Sequence, residues 1–319
     1  MEKPKVIVIC GPTASGKTKL SIELAKKIHG EIVSCDSMQI YKDMNIGTAK
    51  VTEEETEGIK HYLVDFVSPE QRYSVADYKK DAEKAIEEIL KKEKTPIVVG
   101  GTGLYVDSLI NNIKYQEVNL DTKYRSELER LAIDKGLDYL YEEASKIDPE
   151  AIKGISRNDK KRIIRILEIY HETGKTKTQQ EIESRKEEVP YNYIVFAIDM
   201  DREKLYERIN KRVDIMIEQG LIQEVDNILK KYKEFPTSMQ GLGYKEVVEY
   251  LRGDVTREEM IDIIKSDTRK YAKRQLTWFR RYKNIKWLNG LEDTNKNVEI
   301  ILGEYKWKRI KGKIKEMQE

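Results

Sequence analysis

Short apolar runs alternate with amphipathic stretches over the first hundred residues. Val6-Ile7-Val8-Ile9-Cys10 reads as a strand over residues 5–10, and its lack of polar interruption predicts burial on both faces. A helix is expected from about Lys17 to Ile28, with Leu20, Leu24, Ala25 and Ile28 on one side. Ile32-Val33-Ser34-Cys35 forms a second short strand and Tyr62-Leu63-Val64-Asp65 a third. Ser74 is placed to cap a helix running through about Leu90, with Tyr78, Ala82, Ala85, Ile86 and Ile89 facing inward. Pro96-Ile97-Val98-Val99 is a further buried strand. Apolar strands alternating with amphipathic helices predict an α/β fold, a parallel sheet with helices on both faces.

From about Leu120 to Glu188 the chain is highly charged, helical in period and free of strand-like runs. Its clearest helix spans 159–171, with Ile163, Ile166, Leu167 and Tyr170 as the apolar stripe. Tyr193–Asp199 then returns as a strand, so the helical block reads as an insertion. The expected divisions are 1–118 for the first part of the core, 119–190 for the insertion and 191–319 for the return strand and C-terminal helices. After Asp201, Leu205, Ile209, Val213 and Met216 line one helix face, flanked by Arg208 and Arg212, and helices continue to about Tyr282. Residues 306–315 hold six Lys or Arg and read as a solvated tail.

Composition narrows the function classes. Charged residues make up 36% of the 319, yet the net charge is only +2, so any nucleic-acid surface must be local. No apolar run approaches the roughly 18 residues of a membrane helix. Two cysteines and three histidines disfavour a disulfide framework and a structural zinc site, and Cys10 and Cys35 read as small buried hydrophobes. The first residues run straight into a candidate site, leaving no room for a removable signal, and a cytoplasmic setting is expected.

Gly11-Pro12-Thr13-Ala14-Ser15-Gly16-Lys17-Thr18 fits the G-x-x-x-x-G-K-[ST] phosphate loop, with a strand before it and a helix after it. Such a loop points successive N–H groups into one concavity at a helix N-terminus. Lys17 adds a full charge, and the Thr18 hydroxyl is placed to ligate Mg²⁺ on the same phosphates. The core is thus expected to be P-loop NTPase-like. In a parallel sheet ligands gather outside the carboxyl ends of the strands. The other polar strand ends are Asp36-Ser37-Met38-Gln39 and Gly100-Gly101-Thr102-Gly103. Asp36, the carboxylate of the three, is either a general base or a loop cap; Thr102 belongs either to the site or to a tight turn. Gly174-Lys175-Thr176 imitates a second phosphate loop but follows a helix and lacks the first glycine. His29, His61 and His171 have structural readings, whereas Asp199, ending an apolar strand, is a possible Mg²⁺-positioning carboxylate.

Residues 269–283 contain seven Lys or Arg, four aromatics and no acid. As a helix they put Lys270, Lys273, Arg274, Thr277 and Arg281 on one face, with Tyr271, Gln275 and Trp278 beside it. One sign of charge next to aromatic edges suits a phosphodiester backbone with unstacked bases. Lys160, Lys161, Arg162 and Arg165 form a second basic cluster, and two such clusters suggest a clamp on a folded RNA.

The segments GPTASGKT at 11–18, DSMQIYKDMNIGTAK at 36–50, GGTGLY at 100–105, NDKKRIIRILEIY at 158–170, GLGYKE at 241–246 and KRQLTWFR at 273–280 resemble the tRNA dimethylallyltransferase (tRNA isopentenyltransferase) family over roughly residues 5–290. The resemblance implies transfer of a dimethylallyl group from dimethylallyl diphosphate to N6 of the adenosine immediately 3′ of the anticodon. It implies a diphosphate cradle of Gly11, Thr13, Ala14, Ser15, Gly16, Lys17 and Thr18, Mg²⁺ at Thr18, Asp36 as proton acceptor and Thr102 orienting either Asp36 or the amine; helix position adds Arg208 or Arg212 to the clamp. Implied tRNA contacts are Asp36, Ser37, Met38, Gln39, Thr102, Arg125, Lys161, Arg162, Arg165, Gln240, Gly243, Tyr244, Lys245, Lys273, Arg274, Gln275, Trp278 and Arg280. A monomer without membrane contact is expected. The competing expectations are an ATP-dependent small-molecule kinase, an isopentenyltransferase acting on free adenosine nucleotides and a non-catalytic RNA-binding protein.

Overall fold

A computed structural model of the chain describes residues 3–115, 121–184 and 187–316, with side chains described through Lys306. The chain divides into two compact units, one formed by Met1–Ile110 with Pro190–Glu319 and the other by Asn111–Val189. The expected division at 118/119 lies outside the described residues.

The first unit is built on β1 (Lys5–Cys10), α1 (Lys17–Ile28), β2 (Gly30–Ser34), α2 (Glu53–Thr56), β3 (His61–Tyr62), α3 (Val75–Lys91), β4 (Thr95–Gly100) and α4 (Gly103–Ile110). The second unit is helical among its described residues: α5 (Thr122–Asp134), α6 (Leu137–Ile147), α7 (Pro149–Ile152), α8 (Lys160–Thr173) and α9 (Lys177–Ser184). The first unit resumes with β5 (Asn192–Asp199), α10 (Arg202–Glu218), α11 (Leu221–Lys231), α12 (Tyr244–Arg252), α13 (Arg257–Phe279), β6 (Lys286–Asn289) and α14 (Thr294–Glu316).

All six strands are parallel, in the order β3-β2-β4-β1-β5-β6. The two-residue period of β1 sends Val6, Val8 and Cys10 to one face, against Ala82 and Ile86 of α3 and Val106 of α4. Ile7 and Ile9 go to the other, against Leu20 and Leu24 of α1 and Val298 and Ile301 of α14. Burial on both faces explains the uninterrupted apolar strands. Ser74 closes a capping box with Asp77, and Tyr78, Ala82, Ala85, Ile86 and Ile89 of α3 are buried as the periodicity predicts.

Three elements differ from expectation. The third strand covers His61–Tyr62 and stops there because Leu63 (φ 60°) and Asp65 (φ 59°) turn left-handed. β6 is an edge strand with only Leu288 buried, too short and exposed to leave an apolar run in the sequence. Residues 294–316 form one helix rather than ending in a loose tail. This helix begins beside the carboxyl end of β6, where Asn297 donates to the Asn289 carbonyl at 2.8 Å. By Tyr305 it has reached Thr95, the first residue of β4, at the amino-terminal end of that interior strand (3.3 Å between hydroxyls). In the second unit, Leu128, Leu140, Ala144, Ile152, Ile163, Ile164, Ile166 and Leu167 form the core. Tyr170 is 43% exposed and leaves the expected stripe, whose place Ile164 and Ile169 take. Gly174 caps α8 at φ 66°, which accounts for the false phosphate-loop pattern.

Candidate active site

A cleft of about 1670 Å³ in the first unit is lined by the phosphate loop, residues 36–39 and 45–52, Gly100, Gly101 and residues of α10, α12 and α13. That exceeds the roughly 300–1,000 Å³ of a small-molecule pocket, so it has room for more than a diphosphate donor.

Residues 11–16 join β1 to α1, whose first two residues are Lys17 and Thr18. Gly16 takes φ 91° as the N-cap of α1, and no acid in the helix's first turn opposes its positive end. Ser15 is 2% exposed, and its Oγ is buried without a hydrogen-bond partner, an unspent capacity suited to a phosphate oxygen. Lys17 Nζ donates to the Pro12 carbonyl at 2.6 Å. Burial, and then the neighbouring Arg212, pushes the Lys17 pKa down to about 8. Burial also lowers that of Arg212. An anion between these two cations relieves both. Ala14, Gly16 and Thr18 line the same cleft.

Several expected donor contacts are corrected. Gly11 is packed against Ile198 of β5, where a Cβ would stand 3.1 Å from the Ile198 carbonyl oxygen, and serves close backbone approach. Thr13 lines the cleft, but its amide is already engaged, donating to Gln275 Oε1 at 2.9 Å. Arg208 is exposed, with its guanidinium 3.4 Å from the Gly290 carbonyl, and does not line the cleft. One helical turn separates it from Arg212, enough to aim it at the β6 loop. Asp199 accepts from the Met200 amide and pairs with Arg280 at 3.0 Å, outside the cleft, which removes it from the Mg²⁺ candidates.

Asp36 caps its own turn and also faces the cleft. Its Oδ1 accepts from the Met38 and Gln39 amides (2.9 and 3.3 Å), fixing the turn. Its Oδ2 takes no hydrogen bond among the described residues, and the residue lines the cleft. Thr102 Oγ1 accepts from the Ser37 amide at 3.0 Å and reaches the Ser37 hydroxyl at 3.3 Å, so Thr102 holds the turn that presents Asp36. The Tyr271 hydroxyl sits against Thr102; burial, then the Asp36 charge, raises its pKa.

The expected RNA contacts divide. Lys273 and Arg274 are exposed and make no ion pair among the described residues. Met38, Gln39, Gln240 and Gly243 line the cleft, as does Lys245, which pairs with Glu246 and Asp267 (3.1 and 3.3 Å). Tyr244 is a correction: it is fully buried, and its hydroxyl donates to Glu224 at 2.7 Å. Gln275 is buried with both amide atoms engaged. Trp278 packs on the sheet's core, its indole N–H on Tyr282 (3.2 Å) and its ring under Arg281 (3.9 Å). Arg280 is held by Asp199 just past the end of α13, which stops at Phe279, short of the expected 283. In the second unit Arg125 (3.0 Å) and Arg165 (3.4 Å) converge on buried Glu168, and Arg162 pairs with Asp159 at 3.3 Å. Lys161 is exposed.

Of two further organising residues, one carried no sequence signal and the other only part of one. Glu224 accepts from three successive amides, Asn45, Ile46 and Gly47 (3.0, 2.8 and 3.2 Å), and so shapes the cleft wall from α11. Tyr271 was visible as a flank of the basic helix, but its place over Thr102 depends on how α13 crosses the strand ends.

The sequence profile of the IPP transferase family matches residues 39–282. A tRNA dimethylallyltransferase of Acetivibrio thermocellus is 54% identical over 285 residues, covering 89% of this chain and 91% of that protein. One from Carboxydothermus hydrogenoformans is 50% identical over 301 residues (94% and 97%). Among solved structures, the full-length tRNA isopentenylpyrophosphate transferase of Bacillus halodurans superposes with a TM-score of 0.74 at 42% identity, covering 98% of this chain and 99% of that one. A eukaryotic dimethylallyltransferase acting on tRNA gives 0.77 at 34% identity (90% and 74%). With its parallel sheet, its phosphate loop and these relatives along nearly its whole length, the chain belongs to the IPP transferase family.

Proposed function

We propose that this protein transfers the dimethylallyl group of dimethylallyl diphosphate to N6 of the adenosine immediately 3′ of the anticodon in tRNA, releasing diphosphate. The observation that carries the reading is one cleft holding an anion cradle of buried Ser15 with half-buried Lys17 and Arg212, a carboxylate with an oxygen unbonded among the described residues (Asp36) and the cation Arg274. Lys17 and Arg212 hold the diphosphate and stabilise the charge that grows as the carbon–oxygen bond breaks. The N6 lone pair forms the new bond to the allylic carbon, and Asp36 Oδ2 takes the proton that N6 gives up. Thr102 acts through Ser37 to keep Asp36 in place. The acceptor base leaves its stack to reach this carboxylate, at a cost of about a few kcal/mol offset by contacts along the RNA.

Among the described residues no group of three or more His, Cys, Asp or Glu could hold a metal. The site suits an ion that arrives with phosphate oxygens and keeps most of its waters, for which Thr18 supplies a hydroxyl. Mg²⁺ bound there would add charge neutralisation on the departing oxygens. No described helix is long and apolar enough to cross a membrane. A monomer in the cytoplasm completes the proposal. Incubation with labelled dimethylallyl diphosphate and unmodified tRNA tests it: label should enter the anticodon stem-loop. Phosphate release from ATP with no label in RNA would overturn the reading, as would equal labelling of AMP.

A further inference from the structure

Gln275 directly follows the exposed pair Lys273 and Arg274 on α13, yet it is 6% exposed. Its Oε1 accepts from the Thr13 amide at 2.9 Å, and its Nε2 donates to the Gly101 carbonyl at 2.8 Å. A Cβ on Gly101 would collide with this amide, so that glycine leaves the space Gln275 fills. Gly101 precedes Thr102, whose hydroxyl accepts from Ser37 beside Asp36. One chain of side-chain-to-backbone bonds therefore runs from the phosphate loop through Gln275 to the 100–103 turn, and through Thr102 to the Asp36 turn. Each bond fixes backbone, which is what two loops need to hold a constant spacing.

We infer that Gln275 is a positioning residue that sets the phosphate loop in register with the Asp36 turn. The inference rests on the reading of the cleft given above. Gln275 reaches the cleft wall, but both its amide atoms are spent on backbone, so its role is to fix the distance between the donor loop and the Asp36 turn. Because it shares a helical turn with Lys273 and Arg274, the helix that holds RNA is also the strut that steadies the donor loop.

The test compares Gln275→Met, which keeps length and loses both bonds, with Gly101→Ala, which displaces the amide while leaving Gln275 in the chain, and with the double variant. Three quantities are read: affinity for inorganic pyrophosphate by calorimetry, affinity for an unmodified anticodon stem-loop, and kcat with KM for the donor. Each single variant should weaken pyrophosphate binding about tenfold, the scale of two lost hydrogen bonds, and lower kcat. Stem-loop affinity should stay within about twofold, because the flanking cations are untouched. The double variant should cost little more than either single one, since both break the same link. Normal pyrophosphate binding with weakened RNA binding would make Gln275 an RNA contact and overturn the inference, as would full additivity in the double variant. If Gln275→Met fails to fold, Gly101→Ala decides by the same split between pyrophosphate and RNA. A wild-type protein that binds no pyrophosphate overturns the reading of the cleft and this inference with it; register loss shows only in the variants.

Discussion

Two helices carry basic stretches of similar density, α8 near Lys160–Arg165 and α13 near Lys270–Arg274, and the structure treats them differently. On α8, Arg162 and Arg165 already face acids, and Arg125 arrives from α5, 43 positions away in sequence, to share Glu168. On α13, Lys273 and Arg274 stand without an acid partner among the described residues. A charge in a sequence is only a potential contact; what a distant acid does with it decides its availability. An RNA phosphate must displace Glu168 or Asp159 to reach the α8 arginines, and Asp267 to reach Lys270, whereas it meets Lys273 and Arg274 at no such cost.

The largest effect separates chemistry from RNA holding at the cleft that α13 borders. Asp36→Asn keeps the oxygen that caps Met38 and Gln39 but removes the proton acceptor, so kcat should fall by about 10²–10⁴-fold. Stem-loop affinity, read by filter binding, should be unchanged; a parallel loss of both would make Asp36 a scaffold residue alone. Next, Lys273→Ala with Arg274→Ala should weaken stem-loop binding by about 10–100-fold and reduce the salt slope by about two. If the same pair of changes at Arg162 and Arg165 costs as much, the contrast between the helices is wrong.

A third effect concerns the donor alone. Lys17 has its pKa depressed to about 8 in the free protein, so it binds pyrophosphate best as the cation below that value. Affinity corrected for the ionisation of pyrophosphate itself should fall by up to about tenfold per pH unit above about pH 8, because the bound anion favours the protonated form of Lys17 and binding then takes up a proton. Calorimetry in buffers of different ionisation enthalpy reads that uptake; a flat profile to pH 10 would refute it. The smallest effect on RNA is expected at Arg125→Met. Glu168, 2% exposed, keeps Arg165 but loses its closer partner, so stability to urea should drop by about 1–3 kcal/mol. Stem-loop affinity should change less than about threefold.

What could be read without the structure follows the same division. Strands β1, β2, β4 and β5 were legible because burial on both faces writes itself as an apolar run. The phosphate loop was legible because its function lies in local backbone geometry. Arg208 and Arg212 could not be separated, since four residues on a helix share a face and the neighbours one turn apart belong to other strands. Gln275 and Tyr244 sit inside basic or glycine-rich motifs that suggest contact with a ligand, yet one is engaged by Thr13 and Gly101 and the other is closed under Glu224. β6 was missed because one buried leucine in four residues makes no pattern.

The course of α14 has a practical side. It starts by the carboxyl ends of the strands, the end of the sheet that carries the phosphate loop, and by Tyr305 has passed to the end where the strands begin. A surface tether or fluorophore attached at exposed Lys306 leaves from the end of the sheet where the strands begin, away from the phosphate loop. Molecules immobilised that way keep the cleft turned toward solution, so that donor and RNA arrival can be watched on the same protein.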